Sequence, residues 1–240
     1  MIYVSVDIEC TGLDHNSHEV LTIGAVIEDT LHPEIPINEL PSFHALIVRE
    51  GFKGSAFAIN MNKDIIESMV QWQTTESKAL KEALEDTTGY QFLREDKVTE
   101  AFFQFLYDNG IRAEDGKKYT FQNRVTHPPS TEKYPSLTSN MPKTYITVAG
   151  KNFASFDQLF LEKLPRWKQV IAIRRRIIDP AILFVDWDND IAPPGLAECK
   201  RRASIEGIVT HDALDDAKDV VNLIRRSYTI PNHENRFYDD

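Results

Sequence analysis

Cysteine is nearly missing: Cys10 and Cys199 are the only two in 240 residues. They stand in no metal-finger spacing, and two thiols fit a reducing compartment better than a disulfide framework. Long apolar runs are missing as well. No stretch approaches the ~20 residues a membrane span needs, and the opening MIYVSVDIE lacks the basic leading segment of a signal peptide. The expectation is a soluble, cytoplasmic protein with no membrane partner. Basic charge is scarce: 27 Lys and Arg against 37 Asp and Glu leave a formal net charge of −10. That balance excludes broad, non-specific binding of nucleic acid, while leaving room for a small basic site. The basic residues that do cluster are Arg174–Arg176, Lys200–Arg202, Arg225 and Arg226. Such runs are ordinarily solvated faces; phosphate binding is the alternative.

What is present reads as a globular α/β chain. Apolar residues make up 42% of it, enough for a core. Strands are expected at 2–9, 20–28 and 43–48, the first three forming an antiparallel meander. The proline-containing LHPEIPINELP between the second and third should be a loop. Helices are expected at 62–72, 75–84 and 98–108. The polar, Pro/Ser/Thr-rich 113–142 reads as a long loop or insertion. YITVA (145–149) should be strand four and 170–173 or 177–178 strand five, with helices at 153–164, 196–203 and 212–226. The order implies a mixed sheet with helices on both faces. There is no internal repeat, so 1–228 is taken as one domain and 229–240 as a frayed tail.

Four carboxylates occupy positions that need a reason. In VSVDIECTGLD, Asp7 and Glu9 share one strand face, with Cα atoms about 6.6–6.8 Å apart. Either that face is open to water, as on an edge strand, or a cation sits there. In KNFASFDQLFLEKL, Asp157 falls about 40° from Phe153, on the stripe that Phe160 and Leu164 share. In THDALDDAKDVVNLI, Asp216 lies within about 60° of the apolar stripe, whereas Asp215 and Asp219 point about 100° or more away and read as solvated. Asp212 suits the first turn, and His211 stands at the chain corner just before. Four acids suit hard divalent cations such as Mg²⁺ or Mn²⁺. Two such ions about 3.5–4 Å apart can activate a water for phosphodiester cleavage, and an imidazole can deprotonate it.

With these residues in view, the sequence resembles the DEDDh 3′–5′ exonucleases, the group of the polymerase III epsilon proofreading subunit, RNase T and oligoribonuclease. The matching motifs are VDIECTGLD, FD within NFASFD, and HDALDDA with its H-x₄-D spacing, in the family's order. The resemblance implies an RNase H-like fold with a mixed five-stranded sheet. It implies Asp7, Glu9, Asp157 and Asp216 as ligands of two divalent metal ions and His211 as general base. It further implies that Thr11, Gly12 and Leu13 hold the terminal nucleotide, Leu13 packing on a base or, alternatively, in the core. Asn60 and Asn62 border the groove in relatives; Asn62 is equally placed as a helix N-cap. One departure stands out. Many relatives carry asparagine four residues before the second-motif aspartate, where this chain has Phe153, with Asn152 one residue earlier; both are candidate substrate contacts, Phe153 by stacking on a base.

The expectation is therefore a metal-dependent exonuclease on single-stranded 3′ ends, releasing nucleoside 5′-monophosphates. DNA is favoured slightly over RNA, with a polymerase or another replication or repair protein as a candidate partner. Exoribonuclease activity, and a module that binds strand ends with little turnover, are the alternatives.

Overall fold

The computed structural model describes residues 1–111 and 143–229; the insertion expected at 113–142 and the tail beyond 229 lie outside the described residues. β1 (Ile2–Cys10), β2 (Val20–Asp29) and β3 (Ser42–Val48) form the expected antiparallel meander. The proline-containing connection between β2 and β3 holds only a 3₁₀ turn, Ile37–Glu39. Then follow α1 (Ala56–Met61), α2 (Lys63–Thr74), α3 (Lys78–Thr88), β4 (Gln91–Arg94) and α4 (Glu95–Asp108). β5 (Thr144–Ile146), β6 (Val148–Ala149), α5 (Asp157–Leu161), α6 (Trp167–Val170), β7 (Ile171–Ile173), α7 (Leu196–Arg202) and α8 (Ala213–Arg225) complete the described part. Strand order β4-β3-β2-β1-β6 makes the mixed five-stranded sheet that was expected.

Three elements depart from expectation. YITVA breaks at Thr147: β6 stays parallel to β1, while β5 leaves to pair with β7 in a separate two-stranded sheet. The fifth strand of the main sheet is therefore β4, parallel to β3, and its four residues are too short to show an alternation. The single helix expected over 153–164 is a 3₁₀ turn, Phe153–Ser155, followed by α5, because Phe156 between them sits at φ −132° and ψ −79°.

Helices cover both faces. Val4, Val6 and Ile8 pack with Phe102, Leu106 and Trp167 on one side, and Tyr3 and Val26 pack with Ala217, Val220 and Ile224 on the other. β1 is thus interior to the sheet, and the solvated-edge reading of Asp7 and Glu9 does not hold.

The far end of α8 is fixed by a buried ion pair. Arg225 donates from Nε and Nη2 to the two carboxylate oxygens of Glu28 on β2, at 2.9 and 2.7 Å. Its Nη1 donates to the Ile35 carbonyl at 2.7 Å, and the Tyr228 hydroxyl donates to Glu28 Oε1 at 2.7 Å. Glu28 is fully buried. Removing one partner strands the other charge in low dielectric. Arg225→Ala should therefore lower the unfolding free energy by about 3–5 kcal/mol in urea titrations, and a loss under about 1 kcal/mol would show the pair to be effectively solvated.

Candidate active site

The site is built where α8 begins. Asp7 on β1 stands opposite Gly24 on β2, and Gly24 opposite His44 on β3. A Cβ on Gly24 would lie 2.1 Å from the Ala213 carbonyl carbon. Only glycine lets the first turn of the helix rest on the sheet at this point. One turn later the Ser5 hydroxyl donates to the Ala217 carbonyl at 2.7 Å. The Asp212 carboxylate caps the helix, accepting from the Leu214 and Asp215 amides at 3.0 and 3.1 Å. Side chains on a helix lean toward its N-terminus, which suits Asp216 to the end of the face that carries Asp7 and Glu9.

The five residues expected to do chemistry converge. Glu9, His211 and Asp216 each offer a ligand atom, all within 4.8 Å of one another. Asp7 feels the charges of Asp157, Asp216 and Glu9. Asp157 comes from the start of α5, and the break at Phe156 is what places it there. Burial pushes Asp7 well above the usual carboxylate range, and the neighbouring acids add to the shift. Burial and then Asp216 raise Glu9 to about 8, opposed by a hydrogen bond from Asn62. Asp157 rises to about 7 through burial, with its own backbone amide and that of Ile8 holding it down. Asp216 also rises to about 7, through burial and then Asp219, with Lys200 opposing. Asp216 Oδ1 is buried with no hydrogen-bond partner. Oxygen donors clustered in low dielectric, one of them orphaned, with an imidazole at the rim, fit a hard divalent cation.

The other expected site residues divide. Leu13 is 85% exposed, which settles against a core role. Asn60 is exposed as well. Thr11 is fully buried and spent on the fold: its hydroxyl donates to the Lys53 carbonyl and accepts from the Glu19 amide, and its own amide donates to the Glu19 carbonyl. Gly12 is buried, and a Cβ there would meet the His18 ring at 2.5 Å. Asn62 caps no helix through its side chain; it is buried, with Nδ2 donating to the Cys10 carbonyl at 3.2 Å. Asn152 is exposed in a left-handed turn at φ 57°, where its Oδ1 accepts from Lys151. Phe153 is 1% exposed and lies in the core, so it offers no face to a base.

Of the clustered basic residues, Lys200, Arg201, Arg202 and Arg225 are spent on internal pairs, while Arg174, Arg175, Arg176 and Arg226 are exposed. Lys200 is buried against Asp219, which is therefore not the solvated acid expected. Arg201 pairs with Glu198, and Arg202 with both Asp190 and Glu198. The sequence reading missed Phe57, 78% exposed in the first turn of α1 beside the loop that follows β1, where the Ser55 amide donates to the Thr11 carbonyl at 2.8 Å. An aromatic at that helix's start gave no periodic signal. It also missed Gly24, whose role depends on a partner far along the chain.

No family model matches the chain, and no curated protein does. Among solved structures, the zinc-bound form of the E. coli ExoI–ssDNA complex matches with a TM-score of 0.51 at 13% identity, over 95% of this chain and 40% of that one. The chain shares the fold of the matched part of that exonuclease. An exonuclease I from Methylocaldum szegediense gives a TM-score of 0.49 at 12% identity, over 95% of this chain and 41% of that one. The nuclease domain of 3′hExo, described as a DEDDh family member bound to rAMP, gives 0.48 at 12% identity, over 95% and 92%. This chain thus spans about two fifths of the length of the two exonuclease I chains, and at these identities the likeness is one of fold.

Raised acid pKa values carry a consequence for stability. The folded chain holds protons that the unfolded chain releases between about pH 4 and pH 8, so metal-free stability falls as pH rises through that window. Asp7→Asn removes one such group. In EDTA at pH 8 it should raise Tm by at least about 2–4 °C, the shift expected per kcal/mol for a chain of this size. The gain should shrink near pH 5, where the acids of the site are largely protonated. Thermal melts of the two proteins at both pH values check this, and a lower Tm for Asp7→Asn at pH 8 would contradict it.

Proposed function

We propose that this chain is a divalent-metal-dependent 3′–5′ exonuclease that hydrolyses single-stranded nucleic acid to nucleoside 5′-monophosphates. The observation that carries the reading is the convergence of Asp7, Glu9, Asp157 and Asp216 with His211 at one partly open point, with Asp216 Oδ1 left unpartnered. A structural cluster of acids would be expected to recruit arginines. Here none of the ion pairs seen among the described residues joins an arginine to Asp7, Glu9, Asp157 or Asp216, and Asp7 feels the charges of the other three.

Asp7, Glu9, Asp157 and Asp216 would hold two ions, Mg²⁺ or Mn²⁺. When bound, the ions supply a lowered water pKa and charge stabilisation at the leaving oxygen. His211, exposed and near Glu9 and Asp216, would accept the proton of the attacking water as general base. Leu13 and Phe57 offer exposed apolar faces on which a terminal base can stack. Asn60, the backbone around Gly12 and Asn152 are proposed as further contacts to the strand end. DNA is the first substrate proposed; the E. coli relative is described with ssDNA, and no residue of this site visibly reads a 2′-OH. A polymerase or repair partner fits the same reading.

Incubation with Mn²⁺ and matched 5′-labelled single strands of DNA and RNA tests it. A one-nucleotide ladder receding from the 3′ end is expected, faster on DNA and reduced at least about 10³-fold by Asp7→Ala. No ladder from the wild type on either strand would sink the enzyme reading and favour an end-binding module. His211→Ala should lower kcat by about 10²–10⁴ with Mn²⁺ affinity retained in calorimetry. Lost affinity would make the imidazole a ligand, a role its distance to Glu9 and Asp216 also allows.

A further inference from the structure

The exonuclease reading needs His211 held in place, yet among the described residues no hydrogen bond holds its ring. It is exposed, and its backbone is left-handed at φ 55°, a conformation disfavoured for any residue with a Cβ. The segment leading to it is similarly irregular, with φ 53° at Ser204 and 99° at Gly207. Such a backbone persists only when its surroundings over-determine it.

Two tethers do so. Upstream, the buried Lys200 ammonium donates to the Ile208 carbonyl at 3.2 Å and is itself neutralised by Asp219. Downstream, next to His211, the Asp212 carboxylate is held from both sides. Its Oδ1 takes the Leu214 and Asp215 amides. Its Oδ2 accepts from the Tyr90 hydroxyl at 3.3 Å and faces His44 Nε2 at 3.4 Å. The Tyr90 and His44 rings pack with centroids 4.1 Å apart, and the His44 side chain is only 9% exposed. His44 belongs to β3 and Tyr90 immediately precedes β4, so these contacts tie the residue after the imidazole to the rigid sheet.

We propose that Tyr90 and His44, acting through Asp212, are positioning residues for His211. The inference rests on the exonuclease reading, in which His211 is the base. The Tyr90 and His44 side chains are seen to contact Asp212 and each other. They fix the cap that sets where the His211 backbone turns.

The test is a double-mutant cycle on the full chain with Mn²⁺ and a 5′-labelled single strand. Tyr90→Phe keeps the ring contact and removes the hydroxyl. It should lower kcat about fivefold, the worth of one ordinary hydrogen bond, with KM and Mn²⁺ affinity unchanged within about twofold. Placed on His211→Ala, the same substitution should cost nothing further, because the group it positions is gone. An equal loss in that background, or a change in KM instead of kcat, would overturn the proposal. Asp212→Ala should cost more than Tyr90→Phe, and Asp212→Asn should recover most of the loss, since asparagine caps as well as aspartate. Amide hydrogen exchange provides a readout independent of cleavage. Tyr90→Phe should speed exchange at Leu214 and Asp215 by about fivefold. If the wild type does not cleave, the exonuclease reading fails alone, and unchanged exchange would still refute the tether.

Discussion

Everything in the site depends on how closely one helix can lie against one strand. The first turn of α8 rests on β2 at Gly24, at a separation that a single methyl group would abolish. That contact brings Asp216 and His211 to the strand face bearing Asp7 and Glu9. Because interiors are close-packed, a helix obstructed there would have to shift as a body. The Ser5 bond to Ala217 and the Arg225–Glu28 pair keep the helix aligned along the rest of its length.

The fold works against its own electrostatics to make this arrangement. Four acids crowd a half-buried point, each raised above its ordinary range by burial, with neighbouring acids adding to the shift at Asp7, Glu9 and Asp216. Such a cluster is a local weakness that the rest of the molecule offsets through packing on both sheet faces. Lys200 opposes the rise at Asp216, and it is already paired with Asp219. The repulsion is therefore left largely uncompensated by protein, as suits a site completed by cations.

Much of the site was legible in the sequence because its signals are local. Alternation placed Asp7 and Glu9 on one face, and helical spacing separated Asp216 from Asp215. The apolar stripe of α8 is buried as its period requires, from Ala213 to Ile224. Non-local features were not legible. β4 is too short for a pattern, and its pairing with β3 is a tertiary fact. The break at Thr147 depends on which neighbour each half of YITVA finds. Phe153, on the apolar stripe, was also a candidate to stack a base, and the structure puts it in the core. Asp219 looked solvated because its partner, Lys200, comes from another helix.

The internal pairing of the basic side chains bears on how long a strand would stay. A polyanion is normally retained through lysines and arginines that displace its counterions, and each contact steepens the salt dependence of binding. Here Lys200, Arg201, Arg202 and Arg225 are committed to acids of the same chain. Any salt dependence in the hold on a strand would then come from cations left exposed, among the described residues Arg174, Arg175, Arg176 and Arg226, and not from these committed groups.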